Sequence, residues 1–497
     1  MGPDVEEPLL SAEADVEVIK PSVAERAEDA TSALPAVRFQ DVWNTVLLQS
    51  GMAWPLLLNL TSSYAISLIT LAFVGHIGKE ALAAASIGTS FVGILARMVL
   101  MGLCGALDTQ ASQAYGHGNL AELPPIFQRT LMFLWLHALP VTAMLLAVPK
   151  VLAQQGGDPQ LAAMALSYMQ LLIPGVWMEC LARSLNRILV AQRIARPQMG
   201  VALLVVPLHV ATNYLLIHKL KLGYLGGALA SSAAPAYNSL LTIGYVWAAG
   251  LGHRVWGRPS PASLQGWPAF AALAYPACFM RCAESLGFSL MTLAAGLLPD
   301  AQVAVSAVSV AFSVYGMLFM GFTALSITAS TFVGNALGAG DARQAKVAAL
   351  ASVLGAPLLW LLVALVLLEP HSQAALIALF TDGSEPNLVA HLHNLLLIVV
   401  LLELLDGCQT VMTGVLSGAG KQRIGAITNL VAFYAIAIPT ALHLAFSQGL
   451  GVEGMYMGMA LGPLVQALTF FVVILRMRWG AEAARASAVA SRGRGSQ

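Results

Sequence analysis

The sequence predicts an all-α polytopic membrane protein, with about twelve transmembrane helices arranged as two related six-helix units. Three observations carry this expectation. Of 497 residues, 58% are hydrophobic and 10% charged, whereas a soluble domain has about a quarter charged. Long apolar runs recur along nearly the whole chain, giving a mean hydropathy of +0.75 and excluding a soluble domain with a single anchor. Short motifs also repeat in order at a nearly fixed offset.

A span needs about 20 apolar residues, more if tilted. On that measure the helices fall near 43–75, 81–115, 125–149, 159–190, 197–219, 224–250, 268–297, 302–337, 343–368, 386–416, 422–447 and 452–478. Residues 1–42 read as an acidic, disordered cytosolic tail without the apolar core of a cleavable signal peptide. Residues 43–255 form the first unit, 256–478 the second, and 479–497 a basic cytosolic tail. Pro55, Pro174, Pro207, Pro276, Pro439 and Pro463 fall inside spans, where a missing N–H and a ring clash kink a helix.

Lysine plus arginine and aspartate plus glutamate number 25 each, so there is no basic field for nucleic acid. With the N-terminus inside, the inner loops hold Arg193, Arg196, Arg254, Arg258, Arg343, Lys346, Lys421 and Arg423, with Arg476, Arg478 and Arg485 at the tail. The outer loops hold mainly Lys79, Lys150, Lys219 and Lys221. The positive-inside rule then places both termini in the cytoplasm. Cys104, Cys180, Cys278, Cys282 and Cys408 all lie in apolar stretches and read as small buried hydrophobes rather than disulfide partners.

The repeat is the most informative feature. Ala53-Trp54-Pro55 recurs as Ala274-Tyr275-Pro276, and Ser67 to Ala72 recurs as Ser289 to Ala294. Ala114 to Asn119 recurs as Ala336 to Asp341, again with the offset near 222, and Leu222-Gly223 recurs in order as Leu450-Gly451, 228 positions on. Units with an even number of spans are parallel, an arrangement of secondary transporters that rock around a central site.

An ionisable group within a span costs several kcal/mol unless paired, hydrated or neutralised, so each is a functional candidate. Glu179 has Arg183 at i+4 and reads as a structural pair. Glu284 lies mid-span after Pro276, where a carboxyl can take a proton from one side and release it to the other, although Arg281 at i−3 shares its face. Glu403 and Asp406 are i,i+3 neighbours that can hold one proton between them or bind a cation in its place. Asp108 can gate or brace the end of its helix, with Thr109 and Gln113 as local hydrogen-bonding groups. Trp54, Trp177, Tyr275 and Tyr315 are candidates to stack on a cationic or planar solute. His137, His209 and His443 are isolated packed residues, so no metal site and no cofactor is expected. No phosphate-binding glycine loop is present, which argues against ATP-driven pumping.

The run Phe73-Val74-Gly75-His76-Ile77-Gly78, the stretch Ala106 to Thr109 with Gln113 to Gly116, and Gln128-Arg129 resemble multidrug and toxic compound extrusion (MATE) transporters. So do Ala329 to Thr331, Val333 to Asn335 with Leu337 to Gly340, and Asp406 with Gln409, Gly414, Gly418 and Gly420. The resemblance spans about residues 43–478, to the eukaryotic, plant-like branch. It implies a V-shaped fold of two six-helix lobes that exports organic solutes in exchange for protons or sometimes sodium. It further implies that Glu284 and Asp406 match the coupling acids of helices 7 and 10. The chain departs from the family pattern at Ser285 and Leu286, where a tryptophan pair is usual, at Arg281, and at Phe332, where arginine is common.

The expected function is a proton-coupled antiporter, acting as a monomer in lipid, that moves cationic or neutral organic solutes such as secondary metabolites and drugs out of the cytosol. Asp4 with Leu9-Leu10 resembles an acidic dileucine sorting signal and favours the vacuolar over the plasma membrane. Arg281, Arg97 and Arg183 keep an organic-anion or citrate exporter open as an alternative. A membrane-embedded lipid-modifying enzyme, with Asp108 or a histidine as base, is the alternative of another class.

Overall fold

The computed structural model describes residues 36–154, 158–299, 301–380 and 386–491. The segment with Asp4 and Leu9-Leu10 lies outside the described residues. All regular elements among those residues are helices. In chain order the long ones are α1 (Phe39–Gly75), α2 (Lys79–Gly116), α3 (Leu120–Val148), α4 (Pro159–Ala191), α5 (Arg196–Lys219), α6 (Tyr224–Ala248), α7 (Trp267–Ala295), α8 (Ala301–Gly338), α9 (Ala342–Leu368), α10 (Asn387–Gly418), α11 (Gln422–Ser447) and α12 (Gly451–Leu475). A further helix, α13 (Trp479–Ser491), follows.

Ten of these are long and apolar enough to cross a membrane. The two that fall short, α6 and α7, are still 25 and 29 residues long. They carry polar groups at the positions that matter below, notably Asn238 and Ser239 in α6 and Arg281 and Glu284 in α7. Helices run through Pro55, Pro174, Pro207, Pro276 and Pro463. Ahead of Pro439, α11 widens into a π-helical stretch at Leu430–Ala437, one way a helix absorbs a residue that cannot donate.

Buried apolar side chains gather in two large clusters, one from Val74 to Ala274 and one built mainly from residues between Phe288 and Ala486. The first helix of each half leans on the other half. In α1, Gln49 Nε2 donates to the Ala348 carbonyl at 3.0 Å and Gln49 Oε1 accepts from Ser352 at 3.1 Å. In α7, Cys278 sits against Gly102 and Ala277 against Gly105, both in α2.

The ends of α2 and α8 meet most closely. A Cβ at Gly116 would overlap the Asn335 backbone, and one at Gly338 the Gln113 backbone. These are the same contact written twice, since 116 and 338, and 113 and 335, are each 222 apart. Cross-links reinforce it: Thr109 Oγ1 donates to Ser417 O at 2.6 Å, Gln113 Nε2 to Gly418 O at 3.0 Å, and Gln422 Nε2 to Thr109 Oγ1 at 2.7 Å.

Three expected boundaries differ. Helix α1 starts at Phe39, and Asp41, assigned to the disordered tail, pairs with Arg343 at 2.5 Å. The connection after 255 packs on the first half, where Gln128 Nε2 donates to Trp256 O at 2.7 Å and Arg129 Nη2 to Ala262 O at 3.0 Å. Residues 479–491 form α13 rather than a tail, because Trp479, Ala483, Ala486 and Ala490 make a buried stripe at helical spacing.

Candidate functional site

Helix α10 carries Glu403 and Asp406 into the interior, both with 0% exposure. Asp406 accepts hydrogen bonds from the Tyr315 hydroxyl of α8 and, at 2.6 Å, from Gln409 Nε2 one turn further along α10. Thr413 Oγ1 in turn donates to Gln409 Oε1 at 3.3 Å, so a polar chain continues down the helix. Neither carboxyl oxygen of Glu403 has a hydrogen-bond partner among the described residues. The Tyr315 ring lies 5.4 Å from Phe319 and 5.5 Å from Phe288, centroid to centroid. Phe288 belongs to α7 and follows Glu284 by one turn. Glu284 is thereby aimed at the same region, within electrostatic reach of Asp406. Arg281 acts on both carboxylates and also on Asp108. Yet neither Arg281 nor Glu284 makes an ion pair within 4.0 Å among the described residues, so their i,i+3 spacing on α7 does not bring them together.

A second charged cluster lies between α2 and α4. Glu179 holds Arg183 one turn on and Arg97 Nε at 3.2 Å, the latter presented by a π-helical turn at Gly93–Arg97. Asp108 pairs with Arg187 Nη1 at 3.0 Å. Asp108 therefore bonds through its carboxyl to α4, while its neighbours Thr109 and Gln113 bind across to the other half. Arg187 did not stand out in the sequence, although Glu179, Arg183 and Arg187 recur every four residues on one helix face. The Gln409 partner of Asp406 was likewise visible as an i,i+3 neighbour, whereas its Tyr315 partner depends on how α8 packs.

The four candidate aromatics do not converge. Tyr315 joins the Asp406 region, Tyr275 hydroxyl meets His137 Nε2 at 3.1 Å beside Phe133, and Trp177 Nε1 donates to Thr142 at 3.3 Å. Trp54 is 59% exposed on α1. Where the resemblance expects arginine at 332, Phe332 instead carries the Arg193 guanidinium 4.4 Å above its ring, a cation–π contact from the other half. All five cysteines are free.

The MatE family model matches residues 55–215 and 276–442. The chain belongs to the MatE family. The two matched segments open at Pro55 and Pro276, 221 positions apart, the offset read from the motifs. Protein DETOXIFICATION 16 of Arabidopsis thaliana is 32% identical over 439 residues, covering 88% of this chain and 90% of the relative. Multidrug and toxin extrusion protein 2 of Mus musculus is 32% identical over 437 residues, covering 88% and 75%. Among solved structures, the eukaryotic MATE transporter AtDTX14, from a plant, superposes with a TM-score of 0.84 at 26% identity, covering 90% of this chain and all of that one. The Vibrio cholerae MATE transporter VcmN, at 19% identity and TM-score 0.77, shares the fold. This MATE protein is thus an integral membrane transporter, not an enzyme, of a family that handles small organic solutes.

Proposed function

We propose that this MATE chain is a proton-coupled antiporter of twelve spans in two six-helix lobes, exporting cationic or neutral organic solutes such as secondary metabolites and drugs by alternating access. Counting α6 and α7 with the ten apolar spans gives the twelve. The observation that carries the reading is the carboxylate set, in which buried Asp406 is held by Tyr315 and Gln409 with buried Glu403 beside it and half-buried Glu284 within electrostatic reach. Acids that protons and a cationic solute occupy in turn suffice for exchange: proton binding expels the solute, and proton loss readmits it. Sodium is the ion that can take the proton's place.

With both termini cytosolic, the paired contacts of Gly116 with Asn335 and Gly338 with Gln113 lie on the cytosolic side. They close that side of the cleft, while Asp108 and Arg187 brace the end of the first lobe. The acidic N-terminal motif favours the vacuolar membrane, where protons leaving an acidic lumen would drive export; the plasma membrane is the alternative. The transporter functions as a monomer in lipid.

The test is uptake into proteoliposomes under an imposed pH gradient, across cationic, neutral glycosidic and anionic solutes, with and without sodium. Uptake of a cationic or neutral solute that collapses with the gradient supports antiport. Movement indifferent to both ion gradients makes the protein a facilitator and the buried acids structural.

A further inference from the structure

Charge is divided unequally across the interior. The α2–α4 cluster sets Arg97, Arg183 and Arg187 against two carboxylates, Glu179 and Asp108. These side chains are only partly buried, with exposures of 13 to 29%. Arg281 adds a fourth guanidinium, partly exposed and with no ion pair or hydrogen bond among the described residues. It stands on α7, which packs on α2 through Gly102 and Gly105 and on α11 through Asn429 Nδ2 donating to Met280 O at 3.0 Å. Arg281 is thus carried, with Glu284 one turn on, by a helix that packs on the arginine-rich half and belongs to the half holding Glu403 and Asp406.

A half-buried guanidinium within a span and without a bonded counter-ion is costly, and its planar fork of donors matches a carboxylate or sulfonate. We infer that Arg281 is a specificity-determining residue that anchors an anionic group of the solute, so the preferred solute is zwitterionic, with its cationic end toward Asp406 and Glu284. The inference rests on the antiport reading and sharpens it. A purely anionic solute would bind better as the carboxylates take up protons, and so would travel with protons rather than against them. A zwitterion keeps its cationic end in competition with protons while Arg281 holds the other end throughout the exchange.

The test uses two fluorescent probes that differ at one group: rhodamine 110, whose free carboxylate makes it zwitterionic, and rhodamine 123, its cationic methyl ester. Initial rates of pH-gradient-driven uptake into proteoliposomes, corrected for gradient-free entry, are compared for wild type, Arg281→Gln, Arg281→Lys and Asp406→Asn. The expected result is faster uptake of the acid than of the ester by wild type. Arg281→Gln should slow the acid about tenfold, as expected for loss of a charge-assisted hydrogen bond, while sparing the ester. Arg281→Lys should restore part of the loss. An acid carried no faster than its ester by wild type, or an Arg281→Gln effect equal on both probes, overturns the anchor and makes Arg281 an internal counter-ion of the carboxylates. Gradient-driven uptake unchanged in Asp406→Asn would instead remove the antiport reading, which separates the two failures.

Discussion

Asp108 and Arg187 show how one residue's role depends on a partner that sequence spacing does not reveal. Their pair, at 3.0 Å, is partly shielded from solvent, so removing one member leaves an uncompensated charge. Asp108→Asn is therefore expected to cost about 3 kcal/mol, read as a fall in thermal midpoint of the purified transporter. The double variant Asp108→Asn with Arg187→Gln should recover most of that loss; a double variant as unstable as the sum of its singles would contradict the pairing. The acids themselves were legible in the sequence because a carboxyl in an apolar span is conspicuous. Their partners were less so. Arg183 and Gln409 sit within one turn of Glu179 and Asp406 and follow from helix geometry, but Arg97 and Tyr315 arrive from other helices. The four aromatics failed to gather for the same reason: residue type marks a candidate, and only packing decides which side it faces.

At the scale of elements, the apolar runs located the long helices because a span must satisfy its backbone internally and shield it with apolar side chains. The ends were harder to place. Helix α13 falls in the stretch expected to be a basic tail because it lacks an apolar run long enough to span, although Trp479, Ala483, Ala486 and Ala490 recur on one face. It crosses between the halves: Asn119 Nδ2 donates to Ala490 O at 3.0 Å, Lys421 Nζ pairs with Glu482 at 2.6 Å, and Arg485 Nη2 donates to Ala419 O at 3.0 Å. Trp479 is 4% exposed, so Trp479→Ala should lose about 3 to 5 kcal/mol, lowering the thermal midpoint well beyond any effect of Arg478→Ala outside the helix. The repeated glycines make a second prediction. Gly116→Ala and Gly338→Ala each push a methyl group into the backbone of the other half, holding apart the ends of α2 and α8. In a background without native cysteines, Thr109→Cys should then react with a membrane-impermeant maleimide several-fold faster from that face. Equal rates with and without the glycine substitutions would show that the contact is not a barrier to access.

For the whole molecule, the internal repeat was the strongest guide to architecture, and its meaning emerges in the contacts. The motif pair of Ala114 to Asn119 and Ala336 to Asp341 forms two reciprocal approaches, Gly116 on Asn335 and Gly338 on Gln113, so duplicated sequence becomes a near-symmetric closure. The charges break that symmetry: Glu284 corresponds to serines at 62 or 63, and Asp108 to Ser330. A near-symmetric frame carrying asymmetric acids suits the proposed antiport, in which the frame would move and the acids bind. The most direct measurement of that claim is solute-dependent proton flux in proteoliposomes made with wild type and with the Glu284→Gln/Asp406→Asn double variant. The account predicts proton movement opposite to solute in the wild type and its loss, by about tenfold or more, in a double variant that still folds and inserts. Undiminished proton-coupled uptake by that variant would contradict it.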